Sequence, residues 1–243
     1  MTRFQACLVA VAVSLVAAPT SAGVILLESD RGIGGSSDLL RWNCASPFVC
    51  VDYTQHPFGV NAPDDAPWIE SQDDFVEIAE LGASAHNVAT QDSVIDLAAL
   101  IFGGEGSAGS ETTASDSTVF PWAYGIAGAG SAYSVTFRLT EFNYLFDVQV
   151  LLEVAQAGVY GGAWAGVSLV SVKPPFGTPV SELLQMQLGN DSQAVAASGV
   201  LTPGTYQFTI FGQTGAGNRP DWGLVFDDNV TSNAKWNGQL ALT

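Results

Sequence analysis

Basic side chains are scarce in this sequence: seven Lys and Arg stand against 24 Asp and Glu, giving a formal charge of −17 at pH 7. The seven are scattered singly, at Arg3, Arg31, Arg41, Arg138, Lys173, Arg219 and Lys235. A phosphate backbone needs clustered cations, so nucleic acid and anionic membrane surfaces are excluded as partners. Histidine is almost absent, with only His56 and His86. Neither falls in a ligand pattern with cysteine, and no G-x-S-x-G elbow accompanies them. Long apolar runs are missing beyond residue 22. The longest, Leu97–Phe102, is far short of the ~18 residues of a membrane-spanning helix. No membrane insertion is expected of the mature chain.

What is present begins with a leader. Arg3 precedes an apolar stretch from Ala6 to Ala18 broken only by Ser14, and Thr20 and Ala22 stand at −3 and −1 of a cut before Gly23. Residues 1–22 therefore read as a cleaved signal peptide, and the mature protein is expected to be secreted. Removing Arg3 from the −17 total leaves −18 on that product. Of three cysteines, Cys44 and Cys50 remain, and in an exported chain such a pair reads as a disulfide. Its small loop would contribute roughly 2 kcal/mol.

The mature region, 23–243, reads as a single domain. Its irregular N-terminal part is 23–72 and its main strands fall in 73–243. A two-residue period is clearest from Tyr133: Tyr133, Val135, Phe137 and Leu139 share one face, with Ser134, Thr136, Arg138 and Thr140 opposite. Tyr144, Phe146, Val148, Val150 and Leu152 repeat it, and Glu141–Asn143 reads as the hairpin connection. Further strands are predicted at Val167–Val172, Leu184–Leu188, Ser192–Val200, Tyr206–Ile210, Trp222–Phe226 and Trp236–Leu242. Pro203 and Gly204 suit the centre of a type II turn. Earlier candidates are Val24–Glu28, Phe48–Tyr53, Phe75–Leu81 and Val94–Phe102, with a short helix as the rival at Asp73–Leu81. Gly103–Ser117, rich in Gly, Ser and Thr, reads as a flexible loop. Regular strands between Gly and Pro turns predict an all-β fold, an antiparallel β-sandwich of jelly-roll type.

Ala83-Ser-Ala, Gln91-Asp-Ser-Val94, Gly128-Ala-Gly-Ser-Ala132, Ser134–Thr140 and Gly199-Val-Leu-Thr-Pro-Gly-Thr-Tyr206 together span roughly half the chain. This stretch resembles the ectodomains of exported bacterial proteins that carry the PEP-CTERM sorting tag. The tag itself, Pro-Glu-Pro before an apolar helix and a basic end, does not occur in these 243 residues. The resemblance implies an exported β-sandwich associated with extracellular polysaccharide, and it supplies no catalytic residues.

Few side chains suggest chemistry. Gly104-Glu-Gly-Ser-Ala-Gly109 matches G-x-G-x-x-G, but a dinucleotide site needs a strand before it and a helix after it, and the stretch reads as loop. No cofactor is expected from it. Two acidic clusters offer hard oxygen ligands for Ca²⁺. One holds Asp64, Asp65, Glu70, Asp73 and Asp74. The other, and the candidate calcium site, is Asp227, Asp228 and Asn229. Trp68, Trp122 and Trp222 stand beside Pro or Asp in expected loops, where exposed rings would stack on sugars and buried ones would only cap the sandwich. The expectation is a non-enzymatic structural or adhesive module of the cell exterior, associated with polysaccharide. Two alternatives are a carbohydrate-binding module that uses those tryptophans and a glycan-active hydrolase with facing carboxylates. The sequence sets no oligomeric state.

Overall fold

A computed structural model of the protein describes residues 23–42, 51–114, 122–158, 160–173, 178–217 and 229–243. Residues 1–22, Cys44, Cys50, Trp222, Asp227 and Asp228 lie outside the described residues. The chain forms β1 (Val24–Trp42), β2 (Val51–Asn61), β3 (Trp68–Ile78), β4 (Ala83–Asp96), β5 (Ile101–Thr113) and β6 (Trp122–Leu139). There follow β7 (Tyr144–Ala157), β8 (Gly162–Lys173), β9 (Thr178–Leu188), β10 (Asp191–Leu201), β11 (Gly204–Gly217) and β12 (Asn229–Leu242). Two six-stranded antiparallel sheets result. The first runs β2-β1-β6-β11-β8-β9 and the second β10-β7-β12-β5-β4-β3. They pack face to face as the expected sandwich, and strands cross repeatedly from one sheet to the other.

The interior has two unlike halves. One is aromatic and aliphatic. Tyr133, Val135, Phe137 and Leu139 of β6, Tyr206, Phe208 and Ile210 of β11, and Val148 and Val150 of β7 are all buried there, as their alternation predicts. Phe137 stacks on Phe102 at 5.3 Å between ring centres and on Tyr206 at 5.9 Å. The other half is built of small residues, including Ala83, Ala85 and Ala89 of β4 against Ala123, Ala127 and Ala129 of β6. There Cα atoms of β4 and β6 come within 8 Å, against about 10 Å between ordinary packed sheets.

Polar groups cross this thin half as a connected chain. Ser37 donates to the Asp74 carbonyl at 3.1 Å, and Asn87 Nδ2 donates to Ser37 Oγ at 3.0 Å. Ser110 Oγ donates to Asn87 Oδ1 at 2.8 Å and lies 2.7 Å from Thr214 Oγ1. Ser37, Asn87, Ser110 and Thr214 are all buried, so the chain answers most of their hydrogen-bonding needs across the two sheets. Arg31 is buried as well. Its guanidinium donates to the carbonyls of Ala66, at 3.0 Å, and Asp64, which holds the 62–67 loop over the sandwich end.

Several local expectations are corrected. Glu141–Asn143 is not a hairpin connection, because β6 and β7 belong to different sheets. Both apolar faces must reach the shared interior, and an arch between sheets turns them inward with the same alternation a hairpin would show. Pro203–Gly204 likewise joins β10 to β11 across the sandwich. Among the described residues the positive-φ glycines are Gly23, Gly82, Gly104 and Gly158, so Gly204 does not take the type II position. Tyr206 Oη instead donates to the Thr202 carbonyl at 2.8 Å, a tyrosine corner at the crossing.

The run Val94–Phe102 is split by a turn at 97–100, where Asp96 Oδ1 accepts from the backbone N–H groups of Ala98 and Ala99. The expected loop Gly103–Ser117 is mostly β5, a central strand paired on both sides. Asp73–Ile78 is strand, and only Ala79–Leu81 form a short 3₁₀ turn. Residues 24–72, expected to be irregular, supply β1, β2 and the start of β3. β1 pairs with β6 along its whole length.

Candidate functional site

The outer face of the second sheet carries a groove of about 690 Å³ that crosses β4, β5, β12, β7 and β10. Register fixes its rows. Asp92 pairs with Glu105, Glu105 with Asn237, Asn237 with Leu151, and Leu151 with Ala194. The next row is Val94, Gly103, Gln239, Gln149 and Ala196. Residues at alternate positions of a strand share a face, and the partners of these strands turn Phe102, Trp236, Val148 and Val150 inward. Asp92, Glu105, Gln149, Asn237 and Gln239 are therefore outward and exposed.

Backbone of Gly103, Gly104 and Gly238 lines part of the groove. A Cβ on Gly103 would lie 2.2 Å from the Gly238 carbonyl oxygen, and one on Gly238 would lie 2.6 Å from that of Gln149. Neither position accepts a side chain without moving a neighbouring strand; Gly103 alternates with the inward Phe102 and lines the outer groove, whereas Gly238 alternates with the exposed Asn237 and Gln239 and faces inward. Gly104 has φ +153, and a Cβ there would meet the Asp92 carbonyl oxygen at 2.1 Å. Asn237 Nδ2 donates to Glu105 Oε2 at 3.1 Å, and Gln149 Nε2 donates to Asp147 Oδ2 at 2.8 Å. The groove thus presents amide donors, amide acceptors and two carboxylates, with Val94, Ile101 and Leu151 as apolar contacts. Pockets of this size accommodate small or chain-like ligands.

Of the three candidate sugar-stacking tryptophans, Trp222 lies outside the described residues and Trp68 is turned inward. Trp68 opens β3 and is 8 % exposed, packed in an interior cluster with Ile33, Ala89, Ala108 and Ala129. It lies inside because the first residue of β3 points at the sandwich interior, and its ring fills space left by small neighbours. Trp122 begins β6 rather than lying in a loop. Trp164, not singled out by the sequence, is 44 % exposed on β8 of the other sheet.

Asn229 begins β12. Within the earlier acidic cluster, Asp73 Oδ1 meets His86 Nε2 at 2.8 Å, and Asp74 Oδ1 lies 3.8 Å from His56 Nδ1. Asp64 and Asp65 belong to the loop over Arg31. Among the described residues, no three acidic, His or Cys side chains gather in a way that could hold a metal ion. The G-x-G-x-x-G stretch lies within β5, paired on both sides, rather than in a loop.

Sequence reasoning missed the groove because it took β5 for a loop, which hid Glu105. A usable signal stood in β12, where Asn237 and Gln239 alternate with Trp236 and Leu240.

No protein-family model matches the sequence, and no curated protein matches it. Among solved structures, the enzymatically active domain of tailspike protein 4 of bacteriophage CBA120 aligns over 56 % of this chain at 13 % identity, with a TM-score of 0.26. The alignment spans 19 % of the tailspike chain, and a likeness of that strength carries no argument about activity here.

Proposed function

We propose that this protein is an exported, non-catalytic β-sandwich that holds an extracellular polysaccharide along the groove of its second sheet. The observation that carries the reading is the groove itself: an open trough across five strands, lined by glycine backbone, carboxamides and carboxylates. Sugar hydroxyls both donate and accept, and amide side chains answer both roles. Export rests on the leader at residues 1–22.

Binding is favoured over hydrolysis by the placement of the carboxylates. Asp92 and Glu105 are cross-strand neighbours that rise side by side from one floor. A glycosidase instead sets its two carboxyl groups on either side of the scissile bond. Glu105 is also held by Asn237.

Affinity electrophoresis through gels containing neutral, acidic and amino polysaccharides tests the reading. The protein should be retarded by at least one of them. Gln149→Ala combined with Asn237→Ala removes hydrogen bonds worth about 0.5–1.5 kcal/mol each, so binding should weaken about tenfold or more. Both residues are exposed, so the melt should not move. Free migration of the wild type through every gel defeats the proposal. Loss of retardation in Trp164→Ala alone would move the site to the tryptophan of the opposite sheet.

A further inference from the structure

Among the described residues the sandwich has four open edges, and they are not alike. β2 carries Asp52, His56 and Pro57; β3 carries Glu70, Asp73, Asp74 and Glu77; β9 carries Pro179 and Glu182. Charges and prolines on an edge block the addition of another strand, because unpaired backbone groups otherwise invite one. β10, Asp191-Ser-Gln-Ala-Val-Ala-Ala-Ser-Gly-Val-Leu201, lacks these guards. Its one charge, Asp191, is its first residue. β10 is eleven residues long, ladders to β7 on one side only, and lies at the rim of the second sheet. Its outward side chains, Ala194, Ala196, Ser198 and Val200, are exposed and uncharged.

We propose that β10 is a self-association edge: two copies of this chain pair β10 to β10 antiparallel across a dyad, making one continuous twelve-stranded sheet. The occupant is a second copy because of how charge falls in such a pair. A dyad makes every residue face a partner from the same strand, and like charges placed opposite one another oppose pairing. Centred on Ala196, the register sets Asp191 against Leu201 and Ala196 against itself, so no two charges meet. A dyad centred on β3 would instead bring several carboxylates of each copy close to those of the other. The two chains still repel through their −17 formal charges. That repulsion acts at long range and is screened beyond roughly 8 Å at about 0.15 M salt. Pairing should therefore strengthen with added salt. Ala194 and Ala196 also line the groove, so pairing would set two grooves on one sheet face.

Sedimentation velocity over a dilution series tests the proposal. The wild type should approach twice the protomer mass at moderate salt and fall back toward one protomer at low salt. Ala196→Lys and Ala196→Glu each set a charge against its own copy and should sediment as monomers, while their melts match that of the wild type at dilutions where it too is monomeric. An equimolar mixture of the two variants should recover the dimer, since Lys then faces Glu. A wild type that stays monomeric at every concentration and salt overturns the proposal. Dimers that persist in both variants, or a mixture that stays monomeric, overturn it equally.

Discussion

Adding one methyl group at Gly125 tests whether the two sheets really approach as closely as the small-residue half implies. Gly125 lies on β6 and faces β4 of the opposite sheet. A Cβ there would stand 2.3 Å from the Ser84 carbonyl oxygen and 3.2 Å from Ala85 Cβ. Both neighbours belong to a central strand whose backbone is fixed on two sides, so relief requires one sheet to move away from the other. Overpacking of this kind costs about 1–3 kcal/mol. The same change reduces the freedom of the unfolded chain and returns about 0.4–1 kcal/mol. The net effect of Gly125→Ala should be a loss of about 1–2 kcal/mol.

Gly130→Ala, on the outward face of the same strand, is the matched control. Its nearest neighbour would be Gln213 Cγ at 3.7 Å, an ordinary contact, so only the unfolded-state gain remains. Urea denaturation should place the two variants on opposite sides of the wild type at unchanged m, separated by roughly 2 kcal/mol. In a domain of this size that is about 4–8 °C in Tm. If both variants shift in the same direction by similar amounts, the sheets are farther apart than described.

Two further perturbations probe the aromatic half. Phe137 is fully buried between Phe102 and Tyr206, and Phe137→Ala should cost about 3–5 kcal/mol in denaturant unfolding; a cost below about 1 kcal/mol would place its ring on the other face. Burial of the Tyr133 phenol raises its pKa well above the ordinary value, against an opposing pull from the Arg31 guanidinium. The unfolded chain ionises this group near pH 10 and the native chain does so only at higher pH. The stability the neutral phenol contributes is therefore intact below about pH 10 and is lost above it, by about 1.4 kcal/mol per pH unit. Stability measured from about pH 9 to about pH 12 should fall more steeply for the wild type than for Tyr133→Phe. Equal slopes would mean that the phenol is not shielded from water.

The aromatic half was legible because its physics is local. Tyr133, Val135, Phe137 and Leu139 alternate with polar residues, and a pleated strand can bury only one of those faces. The buried set of β6, β7 and β11 was therefore readable without knowing any strand's partner. Partnership was not readable. A hairpin and an arch between sheets impose the same two-residue period, so Leu139 and Tyr144 look alike in either. What decides between them is where the remaining strands must sit: β6 is already flanked by β1 and β11, and β7 has no place beside it.

The candidate site was hidden for a different reason, which is that glycine has two opposite meanings. In Ile101–Thr113 the composition resembles that of a flexible loop, yet the strand is central and paired on both sides. Its inward positions are Phe102, Gly104, Gly106, Ala108, Ser110 and Thr112. They shrink because another sheet presses on them, with a Cβ on Gly106 falling 2.2 Å from Ser131 Oγ and 2.6 Å from Trp236 Nε1. Gly103 is bare on the outer face because Gly238 and Gln239 crowd it. A loop spreads its small residues without period. A strand between close neighbours keeps the period and loses only the bulk, and a facing strand must show the same thinning. β6 does so, with Ala123, Gly125, Ala127 and Ala129 at alternate positions. Small residues at every second position in two segments at once therefore mark a thin sandwich rather than disorder. In this chain the thinning extends to Gly103 on the outer face, which lines the groove, so the stretch that looks least structured positions Glu105 between Asp92 and Asn237.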